Sequence, residues 1–190
     1  MGGADLTLPR PLLGAVLAGG QSRRFGSDKA LAVLEGQTLL ERAVGRLAGW
    51  CDAVVAVGRA EAPVPVVPDW PAPGMGPLGG FAGALRYAQG EGFAAVLTVG
   101  VDSLGLPEDL PARLAPGPAC VADQPVVALW PVAVLPVLAA ILAAPGRHAV
   151  RDLIAAVGAR SVVLPGASAN VNTPEDLARV ADGGDLPPAG

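Results

Sequence analysis

The segment that decides the fold is Leu12-Leu13-Gly14-Ala15-Val16-Leu17-Ala18-Gly19-Gly20. Its first six residues are apolar or small, which is typical of a strand that is buried on both faces of a sheet. The two glycines that follow permit tight turning and close approach of another group, since neither carries a β-carbon. We therefore predict a buried strand over residues 12–17 that runs directly into a loop.

The rest of the chain repeats this alternation of apolar strands and helical segments. Further strands are predicted over residues 52–57, 64–67, 94–99, 126–130 and 161–164, and helices over 38–47, 81–89, 106–114, 134–143, 149–157 and from 174 onward. Thr38 and Glu41 have the spacing of a capping box, and residues 69–80 read as a loop rich in Pro and Gly. Apolar strands separated by helices predict a three-layer α/β fold, Rossmann-like, with a mostly parallel, mixed sheet.

The composition indicates one folded domain. No repeat and no charged linker divides the 190 residues, so we expect a single domain over 1–190 with its core at about 12–181 and short tails. Hydrophobic residues make up 52% and charged residues 16%, which excludes a disordered chain. The net charge of −4 argues against nucleic-acid binding, so any anionic ligand must be held by a local basic cluster.

Neither a membrane segment nor a zinc site is expected. Residues 126–144 carry no charge and are long enough to span a bilayer. Pro131 and Pro136 divide that stretch, however, into a predicted strand and a predicted helix. The two cysteines and the single histidine lack the spacing of zinc ligands. We expect a cytoplasmic protein that does not contact the membrane.

The loop after the first strand has the features of a phosphate-binding loop. Arg24 and Lys29 follow the Gly19-Gly20 pair closely enough to neutralise a triphosphate, Arg24 as a planar fork and Lys29 as an exposed point charge. The loop fits neither GxGxxG nor GxxxxGK[ST], which disfavours a dinucleotide site and a Walker ATPase. The alternative is an ordinary strand-to-helix turn with solvated basic residues.

Four segments, taken in order, resemble the molybdenum cofactor guanylyltransferases, a family of nucleotidyltransferases. Together they lie within residues 12–180, and they are Leu17-Ala18-Gly19-Gly20 with Arg24-Phe25-Gly26 and Asp28-Lys29, Gly76-Pro77-Leu78-Gly79-Gly80, Val101-Asp102-Ser103, and Asn170-Val171-Asn172-Thr173-Pro174-Glu175-Asp176-Leu177. The resemblance implies transfer of GMP from Mg-GTP to molybdenum-molybdopterin with release of pyrophosphate. It also implies contacts with other proteins of molybdenum cofactor biosynthesis or with acceptor molybdoenzymes.

The resemblance further implies roles for individual residues. Those implied in nucleotide binding are Leu17, Ala18, Gly19, Gly20, Lys29, Asp69, Gly79 and Asp102; those implied in catalysis are Arg24, Lys29 and Asp102. Asn170 and Asn172 match a pair on the phosphate or pterin side, although they could instead cap the helix from Pro174, for which Thr173 is the better cap.

Two aspartates carry the specific predictions. Asp69 stands where the family reads the base, and one carboxylate can accept both N–H groups of the guanine edge; its alternative is an ordinary turn aspartate after Pro68. Asp102 matches the family's magnesium ligand and directly follows an apolar strand, where a hard cation could lie between phosphates. Its alternative is a cap for the helix predicted from Leu106.

Three segments depart from the family's usual pattern. Ser103-Leu104-Gly105 stands in place of a Thr/Met-Pro-aromatic run, Val57-Gly58-Arg59 where an asparagine is frequent, and Gln124-Pro125 where His-Pro is frequent. The alternatives that stay open are a cytidylyltransferase for the same pterin, a transferase acting on a sugar phosphate, and a nucleotide-binding relative without turnover. Gly20 and Asp69 favour the guanylyl reaction.

Overall fold

The computed structural model describes residues 7–19, 28–146, 148–164, 169–170 and 173–181. In chain order the strands of this part are β1 (Leu12–Leu17), β2 (Val33–Leu34), β3 (Gln37–Thr38), β4 (Ala53–Val57), β5 (Val66–Val67), β6 (Ala95–Gly100), β7 (Ser103–Leu104), β8 (Ala119–Val121), β9 (Ala128–Pro131), β10 (Arg160–Val162) and β11 (Ala169–Asn170). The helices are α1 (Leu39–Ala48), α2 (Gly76–Glu91), α3 (Leu110–Leu114), α4 (Leu135–Ala143), α5 (Val150–Val157) and α6 (Pro174–Ala181), with 3₁₀ turns at Lys29–Leu31 and Val132–Val134.

The main sheet has the order β10-β8-β9-β6-β1-β4-β5 in the described part of the chain. The central strand β1 pairs in parallel with β4 on one side and with β6 on the other. β9 is antiparallel to both of its neighbours, β6 and β8. The predicted mostly parallel, mixed sheet is confirmed. After β1 the chain adds β4 and β5 on one side of β1 and then β6 on its other side, so the order of the strands reverses at β1. Ligands of open α/β sheets bind at such a switch point.

Helices cover both faces of the sheet, as the apolar strands predicted. On β1, Leu13 and Ala15 pack into a core with α2, α4 and α5, whereas Leu12 and Val16 pack into a second core with α1 and α3. Successive side chains of a strand point to opposite faces, so a strand between two cores must be apolar throughout. The three-layer α/β class is therefore confirmed.

Local sequence signals place two elements accurately. β1 has the predicted bounds, residues 12–17. The helix predicted from Thr38 is α1, and its capping box is present because the Thr38 hydroxyl accepts from the Glu41 N–H at 3.1 Å and the Glu41 carboxylate accepts from the Thr38 N–H at 2.8 Å. Each side chain thereby satisfies a backbone donor that the first turn of a helix leaves free.

The predicted loop over residues 69–80 was wrong in its second half. α2 begins at Gly76, so the Gly76–Gly80 segment forms the first turn of a 16-residue helix with Pro77 at its start. Proline is tolerated there because the first helical N–H groups have no intrahelical partner. The glycines reflect close packing: a β-carbon on Gly83 would collide with the Pro68 carbonyl oxygen. A glycine-rich stretch was thus read as a loop although tertiary packing makes it a helix.

The helix predicted over residues 106–114 was also too long. α3 covers only Leu110–Leu114, with Pro111 in its first turn. The ring and the missing N–H of Pro111 prevent the helix from extending further towards the N-terminus. The short strands β2, β3, β7, β8 and β11 were not predicted, since two or three residues carry no measurable periodicity.

The uncharged stretch 126–144 is divided as expected. β9 is followed by the Val132–Val134 turn and then by α4, which has Pro136 in its first turn. Among the residues that the structure describes, no helix combines the length and the apolar character needed to cross a bilayer.

Candidate active site

Three strands end at the same level on one edge of the sheet. Leu17, the last residue of β1, lies opposite Val57 of β4 and Gly100 of β6. The segments that follow these strands are therefore neighbours, and they contain Ala18-Gly19, Gly58-Arg59 and Asp102. This shared register brings predicted site residues together from distant parts of the chain.

The start of the glycine-rich loop is held by backbone contacts. The N–H of Ala18 donates to the carbonyl of Val57 at 2.9 Å, and the N–H of Val101 donates to the carbonyl of Leu17 at 3.3 Å. Gly19 is exposed at the edge of the sheet. Leu17, Ala18 and Gly19 thus begin the loop at the switch point, while Gly20 and Arg24 lie outside the described residues.

Lys29 and Asp102 form an ion pair at the centre of this edge. The Lys29 Nζ lies 2.8 Å from Asp102 Oδ2, and the two side chains are 10% and 25% exposed. The prediction that Lys29 is an exposed point charge was therefore wrong, because the ammonium is paired with a carboxylate and largely buried. The contact joins the end of the glycine-rich loop to the end of β6.

A second ion pair, which the sequence analysis missed, lies beside the first. Arg59 Nη1 lies 3.0 Å from Asp28 Oδ2, and its guanidinium also donates from Nε to the Glu61 carbonyl at 3.0 Å. This hydrogen bond from Arg59 holds the pKa of the Asp28 carboxyl below its ordinary value. The only signals in the sequence were that Asp28 directly precedes Lys29 and that Arg59 comes just after a strand end.

Asp102 does not cap a helix, which removes one of its two interpretations. The N-cap position of α3 is occupied by Asp109, and the Asp102 carboxylate instead binds Lys29. A β-carbon on Gly100 would lie 2.5 Å from Asp102 Oδ1, so glycine at that position leaves room for the carboxylate. Asp102 is consequently a partly exposed carboxylate at the end of a strand, and the Lys29 ammonium holds it in place.

The donor set around Asp102 fits a cation that is shared with a substrate. Within the described residues, no group of three or more His, Cys, Asp or Glu side chains could hold a metal ion. Mg²⁺ is usually bound by one or two carboxylates together with substrate phosphates and water. One partly exposed carboxylate beside the start of the glycine-rich loop is compatible with such a shared site.

Asp69 follows β5 and lies against the first turns of α2. A β-carbon on Gly80 would lie 3.0 Å from Leu17 Cδ2 and 3.8 Å from Asp69 Oδ1. On Gly79 it would lie 2.7 Å from the Met75 β-carbon, and the Trp70 N–H donates to the Gly79 carbonyl at 3.1 Å. The Asp69 carboxylate therefore lies close to the buried first turns of α2, where Gly80 also packs against Leu17 at the start of the glycine-rich loop.

The C-terminal motif reaches the same edge of the sheet. β11 pairs antiparallel with β7, and this pairing sets Asn170 opposite Ser103, the residue after Asp102. Asn172 lies outside the described residues. The hydroxyl of Thr173 accepts from the Asp176 N–H at 3.1 Å, so Thr173 caps α6 as predicted.

The segment that departs from the family's usual pattern borders a cavity. Ser103, Leu104 and Gly105 line a space of about 380 Å³ together with Arg42 and Arg46 of α1. The Ser103 hydroxyl is buried without a hydrogen-bond partner in the described part of the chain. This cavity lies next to Asp102 in the chain, but neither Asp102 nor Lys29 lines it.

Comparison of the sequence with known proteins identifies one family. The pattern of the MobA-like NTP transferase domain matches residues 14–165. The chain is 40% identical to the molybdenum cofactor guanylyltransferase of Rhodobacter capsulatus, over 90% of this chain and 95% of that protein. It is 37% identical to the enzyme of the same name from Acidiphilium cryptum (strain JF-5), over 87% and 92%.

Solved structures share the fold at lower sequence identity. The molybdopterin-guanine dinucleotide biosynthesis protein A of Archaeoglobus fulgidus superposes with a TM-score of 0.67 at 21% identity, covering 90% of this chain and 97% of that one. A 4-diphosphocytidyl-2C-methyl-D-erythritol synthase superposes with a TM-score of 0.64 at 16% identity, covering 92% and 98%. The fold by itself therefore does not determine which nucleotide is bound.

Proposed function

The chain belongs to the MobA-like NTP transferase family, and we propose that it transfers GMP from GTP to molybdenum-molybdopterin with release of pyrophosphate. The guanylyltransferases named above match almost the whole chain, which favours this reaction over a cytidylyl or sugar-phosphate transfer. The observation that carries the proposal is the Lys29–Asp102 pair beside the glycine-rich loop at the switch point of the sheet. At that position the Lys29 ammonium can neutralise phosphate charge, and the Asp102 carboxylate can bind a metal ion that the triphosphate shares.

The triphosphate lies, on this proposal, against the loop that follows β1. Backbone groups of Leu17, Ala18, Gly19 and Gly20 contact the nucleotide, and Arg24 and Lys29 neutralise its phosphates. Lys29 already lies at the end of β6, which supports its role next to the reacting phosphate. Glycines suit this loop because an anion can approach backbone N–H groups closely where no β-carbon intervenes.

Asp69 reads the guanine base in this arrangement. Its carboxylate accepts hydrogen bonds from the N1–H and N2–H groups, a pair of donors that cytosine and adenine lack. The position of Asp69 supports the assignment, because its carboxylate lies near Gly80, which also packs against Leu17 at the start of the glycine-rich loop. Discrimination of this kind is strong when the wrong base leaves a charged acceptor unpaired.

Asp102 would hold Mg²⁺, and bound Mg²⁺ supplies charge neutralisation for the phosphates. The space that Gly100 leaves for the carboxylate supports this role. Lys29 and the metal carry the same charge sign, so the Lys29 ammonium must leave Asp102 for a phosphate oxygen as Mg-GTP binds. The ion pair thus keeps both groups oriented in the free enzyme.

The reaction requires alignment and charge neutralisation more than proton transfer. The nucleophile is a phosphate oxygen of molybdopterin, which is already ionised at neutral pH. It bonds to the α-phosphorus of GTP, and the bond from that phosphorus to the bridging oxygen breaks as pyrophosphate leaves. Lys29 and Arg24 stabilise the leaving charge, while Asn170 and Asn172 contact the phosphate or pterin side.

The cellular setting follows from the substrates. GTP is a cytoplasmic nucleotide, so we place the enzyme in the cytoplasm. Its product is a bound cofactor that other biosynthetic proteins or acceptor molybdoenzymes receive.

A nucleotide panel tests the proposal. Purified protein with Mg²⁺ and molybdenum-molybdopterin is given GTP, CTP, ATP or UTP, and pyrophosphate release and nucleotide-dependent thermal stabilisation are measured. We expect release with GTP only, and only when the pterin is present. Release with CTP would instead identify a cytidylyltransferase, and release that needs a sugar phosphate would identify that acceptor class. Stabilisation by GTP without release would identify a binding module without turnover.

A further inference from the structure

We propose that Arg59 is a positioning residue for the transfer reaction, acting through Asp28 to fix the 3₁₀ turn that carries Lys29 at the end of β6. The inference rests on the proposed function for its catalytic meaning, but its structural basis is independent of the identity of the nucleotide. It concerns the segment Val57-Gly58-Arg59, which departs from the family's usual pattern and which the reaction as described does not use.

The Arg59 guanidinium contacts two partners, the Asp28 carboxylate and the Glu61 carbonyl. Nη1 lies 3.1 Å from Asp28 Oδ1 and 3.0 Å from Oδ2, so it contacts both carboxylate oxygens. Nε donates to the Glu61 carbonyl within its own loop. The side chain is 13% exposed, whereas that of Asp28 is 48% exposed. Arg59 is thus the fixed, sheltered partner, and Asp28 is the residue that it holds.

Asp28 in turn sets the direction of Lys29. Asp28 is the N-cap of the 3₁₀ turn Lys29–Leu31, and its Oδ1 accepts from the Ala30 N–H at 3.1 Å. The carboxylate therefore bonds at once to Arg59 and to the backbone of the turn that carries Lys29. Because the Lys29 Nζ then reaches Asp102 at 2.8 Å, one continuous chain of contacts links the ends of β4 and β6.

The backbone that carries Arg59 is in contact with the central strands of the sheet. The residue before it, Gly58, packs against Gly19, and the carbonyl of Val57 accepts from the Ala18 N–H at 2.9 Å. The base of the arginine is therefore fixed to the central strands of the sheet. A long cationic side chain loses rotamer entropy when it is held, and a fixed backbone and a planar fork with two partners reduce that loss.

The amine of Lys29 can be used to measure this arrangement by chemical modification. Lys29 is the only lysine among the 190 residues, so apart from the α-amino group it carries the only primary amine. Acetylation of ligand-free protein at fixed pH, followed by peptide mass analysis, reports how well the Lys29 amine is sheltered, with the α-amino group as internal standard. A role for Arg59 that did not involve Lys29 would leave this rate unchanged.

Arg59→Met and Asp28→Asn are the test variants. Methionine keeps part of the apolar stem of arginine but removes both hydrogen bonds, and asparagine keeps an oxygen to cap Ala30 while removing the charge that holds Arg59. We expect either change to speed acetylation of Lys29 by about fivefold, the factor that corresponds to a lost contact of about 1 kcal/mol. If Arg59→Met does not fold, Asp28→Asn breaks the same ion pair.

Arg10→Met is the matched control. Arg10 also forms one ion pair, with Asp52 at 2.8 Å, and one contact to a backbone carbonyl, that of Trp50 at 3.1 Å. It lies just before β1, at the edge of the sheet opposite to the Lys29–Asp102 pair, so Lys29 acetylation should keep the wild-type rate. Equal acceleration in Arg10→Met would overturn the proposal, as would an unchanged rate in both test variants.

A double-mutant cycle then asks whether Arg59 acts through Lys29. The dissociation constant of Mg-GTP is measured by calorimetry for wild type, Arg59→Met, Lys29→Met and the double variant. We expect Arg59→Met to weaken binding about fivefold when Lys29 is present and to have no further effect in the Lys29→Met background. Equal weakening in both backgrounds would mean that Arg59 acts on the nucleotide itself, and the proposal would fail.

These readouts separate the positioning role from the proposed function. A wild-type protein that binds Mg-GTP without releasing pyrophosphate would overturn the transfer activity, while the cycle would still decide the role of Arg59. Should Mg-GTP not bind at all, acetylation alone would decide it. Normal transfer together with additive effects in the cycle would overturn only the positioning role.

Discussion

Gly19 and Gly58 pack backbone against backbone where the first and second long strands of the sheet end. A β-carbon on Gly58 would lie 2.6 Å from the Gly19 Cα, and one on Gly19 would lie 2.8 Å from the Gly58 Cα. Gly58 also has a φ of +80°, in the left-handed region. The glycine-rich loop therefore starts against a neighbour that must itself be glycine, for reasons of both contact and conformation.

Gly58→Ala should destabilise the protein and weaken nucleotide binding. The left-handed conformation costs an L-residue about 1–2 kcal/mol, and the new methyl group would displace Gly19, so we expect the free energy of unfolding to fall by at least about 1 kcal/mol. The matched control is Gly45→Ala, within α1, where a β-carbon meets nothing within 4 Å. Denaturant unfolding should show Gly45→Ala to be stabilising, by about 0.5–1 kcal/mol. A neutral Gly58→Ala would contradict the packing argument.

Asp69→Asn should weaken Mg-GTP and leave Mg-CTP nearly unchanged. A hydrogen bond to a charged acceptor contributes about 1.5–3 kcal/mol at most, and an amide can accept one guanine donor but opposes the other with its own N–H groups. Titration calorimetry with both nucleotides measures the difference, and CTP serves as the internal control. Equal weakening of both would mean that Asp69 shapes the loop and does not read the base.

Lys29→Met should affect stability as well as binding. Because Lys29 is buried and paired, losing the ammonium leaves Asp102 without its partner and should lower the free energy of unfolding by about 1–3 kcal/mol. An exposed position would change it by no more than about 0.5 kcal/mol. Affinity for GTP should fall, whereas affinity for Mg²⁺ alone should rise, since the ammonium no longer competes for Asp102. Calorimetric titrations with each ligand separate the two effects, and a fall in both would reject the competition.

Asp102→Asn and Asp102→Ala should both lower guanylyl transfer by roughly 10²-fold or more. A neutral amide is a poor partner for a hard cation among phosphates, and a bound metal contributes several kcal/mol to the transition state. Asp109→Asn is the control, because that aspartate pairs only with the nearby, exposed Arg113 in the contacts described. Transfer by Asp109→Asn should equal that of wild type in steady-state assays. Near-normal transfer by Asp102→Asn at limiting magnesium would disprove the metal assignment and make Asn172 the next residue to replace.

Cys51 should make the protein less stable in alkali. Burial raises the pKa of its thiol to about 12, whereas the thiol of the unfolded chain ionises near pH 8.5. The folded state therefore binds the proton more tightly, so stability is intact below the unfolded pKa and falls as pH rises from about 8.5 towards 12. Denaturant unfolding at several pH values should show a smaller alkaline loss for Cys51→Ala than for wild type. Identical slopes would show that Cys51 is not the group responsible.

Short-range features could be predicted from the sequence because their causes lie within a few residues. The capping box at Thr38 and the cap at Thr173 both depend on a residue three positions away. The three-layer sheet follows from strands that are apolar on both faces. The glycine-rich segment could be proposed as a phosphate-binding site for the same reason, since its glycines and basic residues are near one another in the chain.

That the Gly76–Gly80 segment is helical could not be predicted from neighbouring residues. Its glycines favour a loop when they are considered by local propensity alone, since glycine is a poor helix former. They are tolerated because the helix passes against the Pro68–Asp69 backbone, where Gly83 has no room for a β-carbon. Close packing between segments that are distant in sequence outweighs the local cost.

The sequence by itself determined the fold class and the family, and it supplied the residues that we propose for phosphate and metal chemistry. Only the tertiary structure decided that Lys29 is buried against Asp102, 73 positions away, and that Arg59 holds Asp28, 31 positions away. The physical reason is that an ion pair depends on where two side chains meet in space. The common register of β1, β4 and β6 brings these side chains together here. That register cannot be predicted from any local pattern along the chain.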